Sequence, residues 1–355
     1  MSLKVAVIAD DLTGSLDTGT PFVEAGLSVA VAVDAGAIEE AIATGAEVVV
    51  VNTASRALSG DEAAEVVLAA GQKLAAAAPA VVMKKIDSRL KGNVAAESAA
   101  LADVFGRKSI LIAPAIPDQQ RFTSGASVVG RGVDTPLPIA ALFAGHSEGL
   151  AIGDAESDAD LDRIVAENDW ASVLAVGARG LGAALARHLG RGHIGSQHQG
   201  FEARAETLFA FGSRDPITAR QMERLERSGT LATVIDAPMG EVEPVGNIRL
   251  PALLRCTGEI SHEAAQVAAR FAQGVKSVIV ATGPEMLMVG GGDTALAVLR
   301  GLGVRVVRPK GEIEAGIPWF DLTDGAGRQF RCAIKSGGFG NSDSLLRLVP
   351  RNQAA

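Results

Sequence analysis

The 355-residue chain contains no tyrosine and two tryptophans, and aromatic residues make up only 4% of it. Stacking successive bases needs aromatic rings, so a platform for single-stranded nucleic acid is not expected. Positive charge is also short: 33 lysines and arginines stand against 41 acids, a formal charge of -8. Binding nucleic acid requires a broad basic face, and this balance argues against such a partner. Cysteine is limited to Cys256 and Cys332, with no CxxC and no pairing pattern, which suits a reducing, cytoplasmic setting. The five histidines, His146, His188, His193, His198 and His262, fall at no metal-ligand spacing and read as surface or loop residues. No apolar run reaches the roughly 18–20 residues of a membrane span, and the Met1–Lys4 start lacks the regions of a signal peptide. Neither GxxxxGKS nor GxxxxGKT occurs, which excludes a P-loop kinase by motif.

What is present is apolar mass, 48% of residues against 21% charged. A chain of this length suggests two domains of roughly 100–200 residues, each with its own core. Strand-like runs at Leu3–Ala9, Ser28–Val33, Glu47–Asn52, Val81–Lys85, Ser109–Ala113 and Ser172–Gly177 alternate with helical stretches. The latter are Ser15–Ala25, Asp61–Ala78, Val94–Phe105 and Asp158–Asn168. This rhythm predicts an α/β fold with a mainly parallel sheet covered on both faces. The Pro- and Gly-rich stretch Ala113–Pro138 reads as a long functional loop. The polar segment Arg191–Arg204 breaks the rhythm and places the boundary between residues 1–195 and 205–355. Beyond it come strands at Thr207–Phe211, Leu231–Ile235, Ser277–Ala281, Arg305–Arg308 and Phe330–Lys335, with helices at Pro216–Glu226, Glu263–Ala272 and Thr294–Leu302.

The first strand stops at Asp10-Asp11. In an open α/β sheet the crevice beyond the carboxyl ends of the strands receives ligands, which puts this acid pair where substrate would lie. Thr13 belongs to the same turn, and Asp17 lies one helical turn on, where its side chain could face the same space. The strand ending at Met83 leads into Lys84-Lys85-Ile86-Asp87-Ser88-Arg89-Leu90-Lys91-Gly92-Asn93, with four cations in eight residues before a helix start. Cations beside free helix N–H groups make an anion site for carboxylate or phosphate. Ser55 and Arg56 after the third strand, and Arg121 after the fifth, could complete the crevice.

The second half carries glycine instead. Thr282-Gly283 and Gly290-Gly291-Gly292-Asp293-Thr294 bracket the apolar segment Met286–Val289; Gly212-Ser213 closes one strand and Lys335-Ser336-Gly337-Gly338-Phe339-Gly340 follows the last. Glycines at helix starts let backbone N–H groups approach polyphosphate, so these turns suggest a nucleotide site. A rival match is Gly290, Gly292 and Ala295 as G-x-G-x-x-A with Glu312 as the ribose acid, the pattern of an NAD(P)-dependent oxidoreductase acting on a hydroxy acid. That motif falls late in the chain, and Asp293 would set a carboxylate beside the pyrophosphate unless a metal intervened.

Six stretches, taken in order, resemble the four-carbon acid sugar kinases, which phosphorylate tetronates and 3-oxo-tetronates with ATP. They are Ile8–Gly19 (IADDLTGSLDTG), Asn52–Arg56 (NTASR), Lys84–Asn93 (KKIDSRLKGN), Gly212–Gln221 (GSRDPITARQ), Gly291–Leu299 (GGDTALAVL) and Lys335–Gly340 (KSGGFG). The resemblance implies an N-terminal sugar-acid-binding domain, a C-terminal ATP-binding domain and an active site in the interdomain cleft. It implies Asp11, Arg56, Lys85, Asp87, Ser88 and Arg89 around the acid, a threonate, erythronate or 3-oxo-tetronate. Ser213, the Gly291–Thr294 turn and the Gly337–Gly340 turn would contact nucleotide. The pattern departs at Gln120, where relatives carry Gly, and at Arg89 and Lys91, where many carry Thr and Arg. On this reading Lys85, Arg89 or Arg56 holds the carboxylate and Asp11, in preference to Asp87, is the base. Mg2+ bridges the phosphates with Asp293 as its protein partner. A sugar-acid sensor with the kinase fold is the non-catalytic alternative. Expected partners are the acid and ATP, with no nucleic acid or membrane, and a sheet edge in either half could pair across a two-fold axis into a homodimer.

Overall fold

The computed structural model describes residues 3–144, 149–190, 200–243, 246–259 and 264–350. His146, His193, His198, His262, Glu263, residues 1–2 and residues 191–199 of the expected boundary lie outside the described residues. The chain forms two compact units, Met1–His198 and Gln199–Ala355.

In the first unit the β-branched runs are strands because burial on both faces leaves no place for a polar period. Every residue of β1 (Val5–Ala9), β2 (Val29–Ala32), β3 (Val48–Asn52) and β4 (Val81–Lys85) is buried. With β5 (Ser109–Ala113), β9 (Leu150–Ile152) and β10 (Val173–Gly177) they form a parallel array in the order β2-β3-β1-β4-β10-β5-β9. Between β5 and β9, the stretch read as a long functional loop folds into a small antiparallel sheet of β6 (Arg121–Ser124), β7 (Ser127–Gly130) and β8 (Leu137–Pro138). Register sets the site: Ala9 pairs with both Asn52 and Lys85, and Gly177 with Lys85 and Ala113, so these five strands end at one level.

Helix α1 (Leu12–Glu24) follows β1 and starts three residues earlier than its composition suggests. Thr13, Gly14, Thr18, Gly19, Thr20 and Pro21 are poor helix formers, yet all are buried. Packing outweighs propensity here. A Cβ at Gly19 would meet Val50, Val29 and Val31 at 3.1–3.6 Å, so the missing side chain lets the helix lie close to the sheet. The other helices of this unit are α2 (Ile38–Ala43), α3 (Gly60–Ala75), α4 (Val94–Val104), α5 (Asp158–Glu167) and α6 (Arg179–Leu189). Capping boxes at Ser59–Glu62 and Ser157–Asp160 fix the starts of α3 and α5.

The second unit contains β11 (Thr207–Phe211), α7 (Pro216–Arg227), β12 (Thr233–Pro238), β13 (Ala252–Thr257), α8 (Ala264–Thr282), β14 (Met286–Gly290) and α9 (Gly292–Gly301). They are followed by β15 (Val306–Val307), β16 (Gly311–Glu312), β17 (Pro318–Thr323) and β18 (Gln329–Lys335). Its sheet runs β12-β13-β11-β14-β18-β17-β16, parallel through β18 and antiparallel beyond. Phe209, Phe211, Met288, Trp319 and Leu345 fill its core.

The expected strand Ser277–Ala281 is instead the last part of α8. Val275, Val278 and Ile279 are buried while Val280 is 61% exposed, so the apolar run is one helix face plus an outlier rather than a strand. The expected strand Leu231–Ile235 falls two residues further on, as β12, whose odd residues alternate with exposed ones at a sheet edge.

Candidate functional site

The carboxyl ends of β3, β1 and β4 bring Arg56, Asp10 and Asp87 together. Arg56 donates from Nε to Asp10 Oδ2 at 2.8 Å, from Nη2 to Asp10 Oδ1 at 2.7 Å and from Nη1 to Asp11 Oδ2 at 3.0 Å. Its Nη1 also approaches Asp87 Oδ2 at 3.9 Å. Burial alone would raise the Asp10 carboxyl, but Lys84, Arg56 and Lys85 together hold it below its usual range. Burial likewise works against the Arg56 charge, and Asp10, Asp11 and Asp87 more than offset it, so its pKa rises.

Asp11 is the N-cap of α1. Its Oδ1 accepts from Gly14 N at 2.9 Å and its Oδ2 from Thr13 Oγ1 at 2.7 Å. Gly14 leaves a needed gap, because a Cβ there would sit 2.4 Å from Asp11 Oδ1 and 2.9 Å from Lys85 Nζ. Lys85 Nζ donates to Ile86 O at 2.9 Å, its one bond among the described residues, which leaves two donors open. Asp87 uses Oδ1 to accept from Arg89 N at 2.8 Å, and Oδ2 has only the long approach of Arg56.

Beneath this layer is a fully buried ion pair that the sequence reading did not single out. Lys84 Nζ lies 2.6 Å from Glu97 Oε2, and Ser55 Oγ donates to Glu97 Oε1 at 2.6 Å. Lys84 is therefore a strut below the site rather than one of its cations. Ser55 is also turned inward, 2.8 Å from Thr53 Oγ1, and is not open to substrate. A signal existed: Glu97 is an acid in the first turn of an apolar helix, spaced to return to the lysine pair.

Asp17 lies within electrostatic reach of Asp11 and Lys85. It is buried against Arg179 at 3.3 Å, and burial pushes its carboxyl up despite Arg179 and Lys85. Arg179 also reaches Asp118 at 3.7 Å. Arg121 does join the site: Nη1 donates to Ser88 Oγ at 2.5 Å, while Nε and Nη2 donate to Arg131 O at 3.1 and 2.9 Å. Burial and the neighbouring Arg89 depress the Arg121 pKa, the mark of cations crowded without enough anion. Arg89 and Lys91 are exposed. Gln120 has φ +56, which is the conformation glycine adopts most readily.

In the second unit three turns leave consecutive strand ends, since Phe211 pairs with Gly290 and Gly290 with Lys335. They pack closely. A Cβ at Gly212 would fall 2.0 Å from Thr294 Oγ1, and one at Gly337 would fall 2.7 Å from Ser213 Oγ. Gly291, at φ +104, caps α9 without a side chain, so the first N–H groups of the helix, including those of Asp293 and Thr294, have no intrahelical acceptor. The Asp293 side chain is exposed. Lys335 is fully buried, with Nζ bonded to Thr218 Oγ1, Ser336 O and Gly337 O. Thr282 and Gly283 do not belong to this cluster. They end α8 and precede β14, at the opposite end of the strand from Gly290. Glu312 lies on β16, separated from β14 by β18 and β17, and accepts from Gly316 N at 3.1 Å, not at the neighbouring strand end a dinucleotide fold requires.

Residues 5–138 match the family model described as a sugar-binding N-terminal domain, and residues 252–345 the one described as a nucleotide-binding C-terminal domain. The chain is 29% identical to a D-threonate kinase of Bordetella bronchiseptica, over 97% of this chain and 96% of that protein. It is 27% identical to a D-erythronate kinase of Heliobacterium modesticaldum, over 98% and 96%. In fold it is similar to a crystal structure from Salmonella typhimurium LT2, with a TM-score of 0.74 at 19% identity over 97% of this chain and 98% of that one.

Proposed function

The chain belongs to the four-carbon acid sugar kinase family, and from that premise we propose that it transfers the γ-phosphoryl group of ATP to a hydroxyl of a four-carbon sugar acid. One observation carries this reading. Arg56 meets two carboxylates through its three nitrogens, whereas the bonds of Arg121 go only to a hydroxyl and a carbonyl, which leaves Lys85, Arg89 and Arg121, none with a bonded carboxylate among the described residues, for a substrate carboxylate. Lys85 and Arg89 flank Asp87 after β4, and Arg121 reaches the same turn through Ser88; Asp87 Oδ2 is the least engaged carboxylate oxygen of the cluster.

The acid's carboxylate binds Arg121 and Arg89, whose crowding an anion relieves. Lys85 directs its open donors at the reacting end. Asp87 accepts the proton from the attacking hydroxyl, in place of the Asp11 expected from sequence, because both Asp11 oxygens are held by the α1 N-terminus and Arg56. The glycine turns of the second unit hold the triphosphate through backbone N–H groups. Transfer then requires the two sets of groups to meet around one phosphoryl group in line with the hydroxyl.

The reaction implies Mg2+. Among the described residues no group of three or more His, Cys, Asp or Glu could hold a metal. Asp293, exposed in the first turn of α9, suits a single direct or water-mediated contact to an ion that keeps most of its waters. Bound there, the ion supplies charge neutralisation on the phosphates.

A coupled ADP-release screen over threonate, erythronate, their 3-oxo forms and related aldonates tests the reading, together with thermal shifts in ATP-Mg and in NAD(P)H. Phosphorylation of one of these acids is the expected outcome. Stabilisation by NAD(P)H and not ATP would favour an oxidoreductase, and ATP binding without any phosphorylated acid would favour a sensor.

A further inference from the structure

Lys335 ends β18 in the middle of the glycine turns, and its ammonium has no donor left over. Nζ lies 2.9 Å from Thr218 Oγ1, 2.9 Å from Ser336 O and 3.1 Å from Gly337 O. Those are the three bonds an ammonium can donate. Helix α7 adds to the same fastening: Thr218 Oγ1 donates to Gly337 O at 2.9 Å, and Gln221 Nε2 to Phe339 O at 3.1 Å and Asn341 O at 2.8 Å. Thr218 and Gln221 are both fully buried, one helical turn apart.

The carbonyls of residues 336, 337, 339 and 341 are thus all drawn inward, toward Lys335 or α7. A trans peptide is planar, with its C=O and the following N–H pointing opposite ways. Fixing the carbonyls of Ser336, Gly337 and Phe339 inward turns the N–H groups of Gly337, Gly338 and Gly340 outward. Among the described residues none of these three N–H groups has a backbone acceptor. Successive N–H groups converging from one turn form an anion-binding concavity.

We propose that Lys335 is a positioning residue: with Thr218 and Gln221 it holds the Ser336–Asn341 turn so that three glycine N–H groups present themselves to the phosphates of ATP, without touching the nucleotide itself. The proposal rests on the reading of the second unit as the nucleotide site. Burial lowers the Lys335 pKa to about 8, against the pull of Asp215 at the start of α7 and Glu314 before β17. A bound triphosphate favours the protonated lysine, so ATP affinity falls as pH rises through about 8. Fold stability responds the other way. The unfolded lysine titrates near 10.4, so between the two values the unfolded state holds more protons and stability from this group rises with pH.

The test is calorimetric titration of the full chain with ATP-Mg at pH 7 and pH 9, for the native sequence, K335M, T218V and the double variant. Circular dichroism and thermal unfolding check that the second unit is folded in each variant, and threonate binding checks the first. Expected are a several-fold weaker native Kd at pH 9 and losses of about 10- to 100-fold in K335M at pH 7, in line with a charged hydrogen-bond hub. T218V should also weaken binding, and the double variant should be no weaker than K335M, because the two act as one unit. An ATP affinity for K335M within two-fold of native overturns the proposal. So does a neutral T218V beside a weak K335M, which would make the lysine a direct phosphate contact. If the native chain binds ATP at neither pH while the acid still binds, it is the nucleotide reading beneath the proposal that fails.

Discussion

Arg56 and Asp10 meet in a two-point contact, with bonds of 2.8 and 2.7 Å, and the carboxylate is only 3% exposed. A lysine cannot reproduce that geometry. Arg56→Lys is expected to cost about 2–4 kcal/mol in urea unfolding, somewhat below a fully buried pair because the arginine keeps some solvent. The native Asp10 pKa lies below its unfolded value, so the stabilisation is complete above about pH 4 and is lost as pH falls below that through the lower folded value. Without Arg56 burial has less opposition, and the acid limb of the stability curve should move to higher pH.

Asp87→Asn should lower kcat at least about 100-fold with ATP affinity unchanged, the signature of a lost proton acceptor. Asp11→Asn removes part of a helix cap and of the Arg56 anchorage, so its effect should show in melting temperature and acid KM as well as in kcat. Steady-state kinetics with calorimetry on both variants decides between them; a few-fold loss in Asp87→Asn would return the role to Asp11.

Gly92 has φ +88, and a Cβ there would sit 2.9 Å from Asp10 Oδ2. Gly106, at φ +59, has nothing within 4 Å of the same point. Both alanine variants bear the backbone penalty of about 1 kcal/mol. Only Gly92→Ala should also raise the acid KM, by about ten-fold or more, since one displaced buried contact is worth that much. Equal KM values in the two variants would mean that Asp10 does not set the site.

Lys84 and Glu97 are both essentially sealed from solvent, 2.6 Å apart. Removing one partner, as in Lys84→Met or Glu97→Gln, should destabilise by about 3–5 kcal/mol, because the other charge is stranded. Lys84→Met with Glu97→Leu should recover much of that in chemical unfolding. Activity should not recover with it, since Lys84 also helps hold Asp10 ionised and Glu97 anchors Ser55 beside Arg56.

The strands of the first unit were legible because burial on both faces leaves an unbroken apolar run, as in VAVIA at Val5–Ala9. The turns at Asp10-Asp11, Lys85–Lys91 and Gly291–Thr294 were legible because charge or glycine at a strand end has few structural uses. Pairing partners were not. Asp17 sits one turn from the acid pair in sequence, but its partner, Arg179, is 162 residues away. The helix over Ser277–Ala281 was hidden because a β-branched run gives the same local pattern for a buried strand and for a packed helix end. Arg56 and Lys335 looked like free cations; only the three-dimensional neighbours reveal that two carboxylates already hold Arg56 and that all three Lys335 donors are used.

The hairpin of β6 and β7 carries Arg121 and bonds it back to Arg131 within the same small sheet. That sheet is fastened to the rest of its unit through its own backbone, by Thr123 with Ala155 and by Gly125 and Ala126 with Asp154. The arginine therefore travels with this small sheet, while the acids and Arg56 are set by strand register. On the proposed reading, exchanging residues 121–138 should retune which anion is recognised and leave the reacting groups, fixed by strand register, where they are.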